Sequence, residues 1–167
     1  MIKPGDILMS APKKRTLSRI ILVEATQGFE QLAHAAIYVG DNQIVEASIG
    51  KKTYMMPFDK WAKYNNYKVY RVPGGDARKA SMIAKKLVGT DYNFMYGVRA
   101  KLMPDKWAKI PSKELMKTPD LFCSTVIAIA YPEIPESLGV HPYHVLPVDI
   151  PKSPVVQEVK KILGIVK

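Results

Sequence analysis

A β-hairpin near the start of the chain constrains the fold more than any other feature. Residues 33–39 form a run of small and apolar residues, residues 40–43 are Gly, Asp, Asn and Gln, and residues 44–48 form a second, mostly apolar run. Two such runs around a turn sequence predict two antiparallel strands. We therefore expect an antiparallel sheet in the first half of the chain.

The other segments add strands early and helices late. Strands are predicted at 7–9, 52–58 and 67–72, and a helix at 76–88, which Asp76 can cap and Gly89 can end. Less regular patterns predict a helix at 16–26, a helical turn at 59–62, a loop with short helical pieces at 97–119, an irregular proline-rich segment at 132–154 and a final helix at 155–163. Strand and helix do not alternate, which indicates an α+β fold and not a parallel α/β fold. With 167 residues the chain is long enough for one domain, 1–167, with a core of its own.

Cys123 is the single cysteine of the chain, so an internal disulfide and a multi-cysteine zinc site are excluded. Residues 126–130 suit a buried helix, and residues 118–120 (Thr, Pro, Asp) are typical of a helix start. Cys123 is therefore expected in the first turn of a core helix, where the helix dipole and free N–H groups favour the thiolate, which is the nucleophilic form. The alternative is a small, inert, buried apolar residue.

A cysteine nucleophile needs a base and a group that orients the base, and His34 and Glu46 are the candidates. His34 lies at the start of a strand among small residues, whereas His141 and His144 lie in the proline-rich segment. Glu46 stands in an apolar strand, where an acid costs stability unless it has a partner; the alternatives are a solvent-facing glutamate and a structural histidine. A two-residue turn at 41–42 would place the two side chains on opposite faces. They share a face only if a bulge or an odd loop intervenes.

The formal net charge of +10 favours anionic surroundings, such as lipid head groups, cell-wall polymers or nucleic acid. Nucleic acid is not favoured, because the basic residues are scattered and no basic-and-aromatic ladder or helix-turn-helix pattern is present. Segment 16–26, with basic residues beside an apolar face, could rest on an anionic membrane, although such a helix more often packs on its own domain. The first residues lack the apolar centre of a signal peptide, and no apolar run is long enough to span a bilayer. The expected location is the cytoplasm, or delivery by lysis or a phage particle, with peripheral membrane association as the alternative.

Five segments together resemble the NlpC-type papain-like cysteine hydrolases. Residues 34–47 resemble the histidine hairpin of that superfamily, with a polar third residue twelve positions after the histidine. Residues 4–8 resemble the strand that precedes the hairpin, and residues 89–94 resemble the glycine-to-tyrosine segment. Residues 122–124 resemble the nucleophile motif, and residues 147–154 resemble the closing segment.

Histidine precedes cysteine here, which is the order of the circularly permuted branch that includes YiiX-like proteins and the lecithin retinol acyltransferase group. The resemblance implies a permuted papain-like fold in which Cys123 attacks a carbonyl carbon, His34 relays the proton and Glu46 orients His34. The third residue departs from the histidine or other polar residue frequent in the superfamily, but a glutamate can orient an imidazole equally well. Backbone N–H groups at the helix start would bind the oxyanion, and the further oxyanion or substrate candidates are Tyr92, Asp6 and Ser124. Neither a cofactor nor a metal is implied.

The resemblance favours hydrolysis of an amide or peptide bond through a thioester acyl-enzyme, with cell-wall peptides as the first substrate class. The second interpretation is acyl transfer or lipid ester hydrolysis at an anionic membrane, which the basic charge supports. The third is a non-catalytic binding module on the same fold.

Overall fold

A computed structural model describes residues 1–12, 34–48, 50–92 and 121–159. Within these residues, six strands form one sheet in the order β4-β3-β2-β1-β5-β6, and every neighbouring pair is antiparallel. The strands are β1 (Ile7–Pro12), β2 (His34–Gly40), β3 (Gln43–Glu46), β4 (Tyr54–Pro57), β5 (Asn65–Arg71) and β6 (Gln157–Glu158). The helices are α1 (Phe58–Tyr64), α2 (Ala77–Lys86), α3 (Cys123–Ala130) and α4 (Glu133–Leu138), followed by 3₁₀ turns at Pro142–His144 and Pro147–Lys152. The antiparallel α+β class is therefore confirmed.

The two faces of the sheet bury different clusters, because side chains alternate along each strand. On the helix face, Ile7, Ile37 and Val45 pack with residues of α2 and α3, and both helices contact β2. On the opposite side, which we call the tryptophan face, Leu8, Ala36, Ile44 and Trp61 form a second buried cluster. Helix α3 is buried almost all round, which explains its nearly continuous apolar sequence.

The hairpin of β2 and β3 contains the irregularity that decides which side chains share a face. Asp41 and Asn42 have φ values of 50° and 55°, as a two-residue type I′ turn requires. Gly40 pairs with Gln43, but Tyr38 pairs with Ile44, so Val39 is an extra residue in the register. The shift brings Ala36 opposite Glu46. Because His34 lies two residues before Ala36, His34 and Glu46 fall on the same face.

Most predicted elements are confirmed, with two corrections after residue 130. The strands at 7–9, 52–58 and 67–72, the hairpin, the helical turn at 59–62, the helix at 76–88 and the cysteine helix are all present. Segment 132–154 is not mostly irregular: it contains α4 and two 3₁₀ turns, since prolines such as Pro135, Pro142 and Pro147 fall in first turns, where a missing N–H is tolerated. Residues 157–158 form β6 and not the start of a helix. The predictions for 16–26, 97–119 and 160–163 lie outside the described residues.

Among the described residues, no helix has both the length and the apolar character needed to cross a bilayer.

Candidate active site

The bulged hairpin brings His34 and Glu46 into direct contact. The distance from His34 Nε2 to Glu46 Oε2 is 2.7 Å. The neighbours of the ring are small: Ser10 pairs with His34 across β1, and Ala36 lies opposite Glu46. These small side chains leave room for the imidazole to lie along the sheet and reach the carboxylate. Glu46 is 5% exposed, so it is not the solvent-facing residue of the alternative interpretation.

Cys123 is the first residue of α3, and its side chain is buried. Among the described residues no side chain caps this helix, so the N–H groups at its start are not satisfied by a capping side chain there. Helix α3 packs against β2, and the charge of Cys123 is one of the effects that raise the pKa of His34. Since Glu46 occupies Nε2, Nδ1 is the ring nitrogen left for the thiol. The imidazole therefore has a nitrogen available for each of its two proposed partners.

Two opposing effects act on each member of the His34–Glu46 pair. Burial lowers the pKa of His34, but the charges of Glu46 and Cys123 outweigh burial and raise that pKa to about 10. Burial raises the pKa of Glu46, but His34 and three hydrogen bonds outweigh burial, and the net result is a lowered pKa. Both shifts favour an imidazolium–carboxylate pair at neutral pH.

Two further side chains, which the sequence reasoning did not single out, donate to Glu46. Tyr54 lies directly opposite Glu46 in the β3–β4 register and donates its hydroxyl hydrogen to Oε1. Trp61 of α1 donates its indole N–H to Oε2 at 2.7 Å. One signal was available for Trp61: it is a large apolar residue between Lys60 and Lys63, and a buried tryptophan usually needs an acceptor for its N–H.

Of the three other predicted candidates, Tyr92 lies beside the residues that lead into Cys123, since it forms a bridge with Leu121. Burial, followed by the charge of Cys123, raises the pKa of Tyr92, and its ring lies 5.7 Å from that of Phe122. The Ser124 hydroxyl instead donates to the carbonyl of Val145 at 2.5 Å, fastening α3 to the following 3₁₀ segment. This bond uses the hydroxyl hydrogen of Ser124, so the candidate role of this side chain as an oxyanion donor is not supported.

Asp6 is placed away from the thiol, contrary to its candidate role. Its carboxylate accepts two hydrogen bonds from Arg71, at 2.7 and 2.8 Å, and one from the backbone N–H of Lys3. Asp6 precedes β1, whereas His34 pairs with Ser10, about 13 Å further along the strand. A fully hydrogen-bonded carboxylate at the far end of the strand is a structural ion pair.

His141 and His144 lie around the 3₁₀ turn after α4 and not at Glu46. The His141 ring stacks on Tyr143, with centroids 5.6 Å apart, and His141 Nδ1 accepts the backbone N–H of Tyr143. Burial lowers the pKa of His141. Among the described residues, no group of three or more His, Cys, Asp and Glu side chains is arranged to hold a metal ion.

A histidine on a sheet hairpin that is hydrogen-bonded to a carboxylate, followed by a buried cysteine at the start of a later core helix, is the arrangement of a permuted papain-like cysteine hydrolase. The family model described as "permuted papain-like amidase enzyme, YaeF/YiiX, C92 family" matches residues 1–146, and the chain belongs to this family. The fold class and the expectation of an amidase-type cysteine hydrolase are thereby confirmed. No curated protein and no solved structure matches the chain.

Proposed function

We propose that the chain hydrolyses amide or peptide bonds through a Cys123–His34–Glu46 triad and a thioester acyl-enzyme. The observation that carries this proposal is the His34 imidazole, which binds Glu46 through Nε2 and leaves Nδ1 for the Cys123 thiol. Membership of an amidase family favours an enzyme over the binding-module interpretation.

The chemical steps use the two ring nitrogens of His34 differently. The Cys123 thiol gives its proton to Nδ1 as its sulfur forms a bond to the carbonyl carbon, and the carbonyl oxygen becomes an oxyanion near the N–H groups at the α3 start. The C–N bond then breaks as Nδ1–H gives its proton to the leaving amine, which produces the thioester. Water attacks the thioester and gives one proton to Nδ1, the C–S bond breaks, and the acid leaves. The proton on Nε2 stays on the imidazole through all these steps, and its hydrogen bond to Glu46 fixes the orientation of the ring.

The Tyr92 hydroxyl is the side-chain candidate for a second oxyanion donor in this proposal. Its support is the effect of the Cys123 charge on the pKa of Tyr92 and its place beside the residues that lead into the cysteine helix: Tyr92 forms a parallel bridge with Leu121, and the N–H of Leu121 donates to the carbonyl of Asp91. The bridge ties the Tyr92 ring to the segment that leads into Cys123.

The substrate class stays a proposal, with peptides before lipids. The lipid interpretation depended on the net charge of +10 and on segment 16–26, which lies outside the described residues, so no contact in the described part favours it.

The experiment is a turnover screen with Cys123→Ser as the matched variant. The parent protein is incubated with peptide amides, including cell-wall peptides, and separately with long-chain acyl esters in anionic vesicles. The acyl-enzyme is then trapped by acid, and its mass is measured by mass spectrometry. We expect a mass added at Cys123 by an amide substrate and none in Cys123→Ser, which should retain the fold because the side chains are nearly equal in size. Full turnover by the serine variant would overturn the assignment of the nucleophile, and acylation by the esters alone would overturn the substrate class.

A further inference from the structure

The carboxylate of Glu46 is held by more groups than the triad needs. Oε2 accepts from His34 Nε2 and from Trp61 Nε1, both at 2.7 Å, and Oε1 accepts from the Tyr54 hydroxyl. Each donor comes from a different element, namely β2, α1 and β4. A carboxylate bound on three sides cannot rotate away from His34 without breaking hydrogen bonds in a buried site, where each broken bond leaves an unsatisfied group.

One short piece of chain supplies both additional donors. Tyr54 begins β4 opposite Glu46, and α1 follows β4 directly, with Pro57 as its first flanking residue. The helix turns Trp61 back over the tryptophan face, where it is 2% exposed and packs with Phe58 and Tyr67. The aromatic cluster therefore fixes the indole that points its N–H at Glu46.

We propose that Tyr54 and Trp61 are positioning residues that keep Glu46 ionised and aimed at His34. This proposal rests on the proposed triad and adds two residues to its machinery. Neither side chain touches the thiol in this scheme; both act through Glu46. Burial alone would favour a protonated Glu46, which would withdraw the negative charge that stabilises the imidazolium. The two donors offset this effect together with His34.

Within the described ranges, the side chains that hydrogen-bond Glu46 are His34 from β2, Tyr54 from β4 and Trp61 from α1. The Lys51 ammonium also lies near this set, 5.0 Å above the Tyr54 ring. Tyr54→Phe removes the hydroxyl and keeps the ring, so it leaves the contact with Lys51 in place.

The test measures Cys123 alkylation by iodoacetamide against pH, which needs no substrate. The variants are Tyr54→Phe and Trp61→Phe, with Glu46→Gln as the reference. Tyr67→Phe is the control for Tyr54→Phe, because it also removes a tyrosine hydroxyl but at a ring that packs on Trp61 and has no bond to Glu46. Phe58→Leu is the control for Trp61→Phe, because it also reduces the size of a ring in the aromatic cluster around Trp61. We expect the acidic limb of the alkylation profile to move up by about one pH unit for each lost donor, and both controls to follow the parent.

A second measurement on the parent protein does not depend on the folding of a variant. The Trp61 indole proton, distinguished by NMR from that of the second tryptophan, is followed from neutral to acidic pH. We expect it to stay in place down to about pH 4.5 and to move upfield only below that pH, because the pKa of Glu46 is lowered from 4.5 and a protonated Glu46 is a weaker acceptor.

Profiles of Tyr54→Phe and Trp61→Phe that coincide with the parent while Glu46→Gln differs would overturn the positioning roles alone. An indole proton that moves upfield already above pH 4.5 would overturn the role of Trp61 in keeping Glu46 ionised. If Glu46→Gln also coincides with the parent, the triad itself fails, and the positioning roles fail with it.

Discussion

Replacement of Glu46 by glutamine tests the electrostatic core of the site with the smallest change of shape. Glutamine keeps the length of the side chain but removes the charge that the three donors His34, Tyr54 and Trp61 face. A hydrogen bond to a charged acceptor is stronger than one between neutral groups by about 1 kcal/mol, so three such bonds weaken by about 3 kcal/mol in total. If this loss of about 3 kcal/mol destabilises the imidazolium form of His34, the rate of amide turnover at neutral pH drops about a hundredfold.

The contributions of His34 and Glu46 to the stability of the folded protein depend on pH in opposite directions. The pKa of His34 is raised to about 10 in the folded protein, so its contribution to stability is complete below about 6.5 and is lost as the pH rises toward 10. The pKa of Glu46 is lowered from 4.5, so its contribution is present above 4.5 and is lost as the pH falls through the folded-state value. The difference in melting temperature between parent and Glu46→Gln should be largest between about pH 5 and 6.5 and smaller at pH 10.

The assays are amide turnover, iodoacetamide alkylation at pH 7, and thermal unfolding across this pH range. Glu158→Gln is the matched control, because it makes the same change at an exposed glutamate that pairs with Lys68 on the surface at 3.2 Å. Equal turnover and alkylation in Glu46→Gln and the parent would refute the orienting role of Glu46. A melting-temperature difference that does not vary with pH would refute the electrostatic account of the pair.

Three further predictions concern the remaining candidates. Tyr92→Phe should lower amide turnover at least tenfold and leave iodoacetamide alkylation unchanged, since alkylation forms no oxyanion; equal losses in both assays would argue against a donor role. Asp6→Asn should lower the free energy of unfolding by about 2–3 kcal/mol in urea titrations, because Arg71 loses its charged partner, and the folded fraction should keep its alkylation profile. His141→Ala combined with His144→Ala should leave single-turnover acylation within about threefold of the parent, and a hundredfold loss would mean that one of these histidines, and not His34, serves the thiol.

The sequence predicted the elements whose signals are local. Alternation of apolar residues identified the strands, Asp76 does cap its helix through the backbone N–H of Lys79, and the apolar run after Cys123 identified the buried helix. These features depend on residues close in sequence, so the chain alone carries the information. The proline-rich segment after α4 was predicted less well, because prolines in first turns and prolines that break helices look alike in a sequence.

Both the sequence and the tertiary structure were needed to identify the residues that form the site. Cysteine, histidine and glutamate in the order and spacing of a permuted hydrolase indicated the chemistry, but the sequence left open whether His34 and Glu46 shared a face. The bulge at Val39 decided that question, since one extra residue reverses the side on which every earlier residue of β2 points.

By itself, the sequence determined the class of fold and the position of the thiol at a helix start, and it indicated His34 and Glu46 as the candidates to serve the thiol. Only the tertiary structure decided which polar side chains meet. It places Asp6 in an ion pair with Arg71, and it places the Ser124 hydroxyl where it donates to the carbonyl of Val145. It also brought Tyr54 and Trp61 to Glu46. The physical reason is that a hydrogen bond requires atoms within about 3 Å, and for residues 8 to 65 positions apart that distance is set by strand register and helix packing, which no local pattern records.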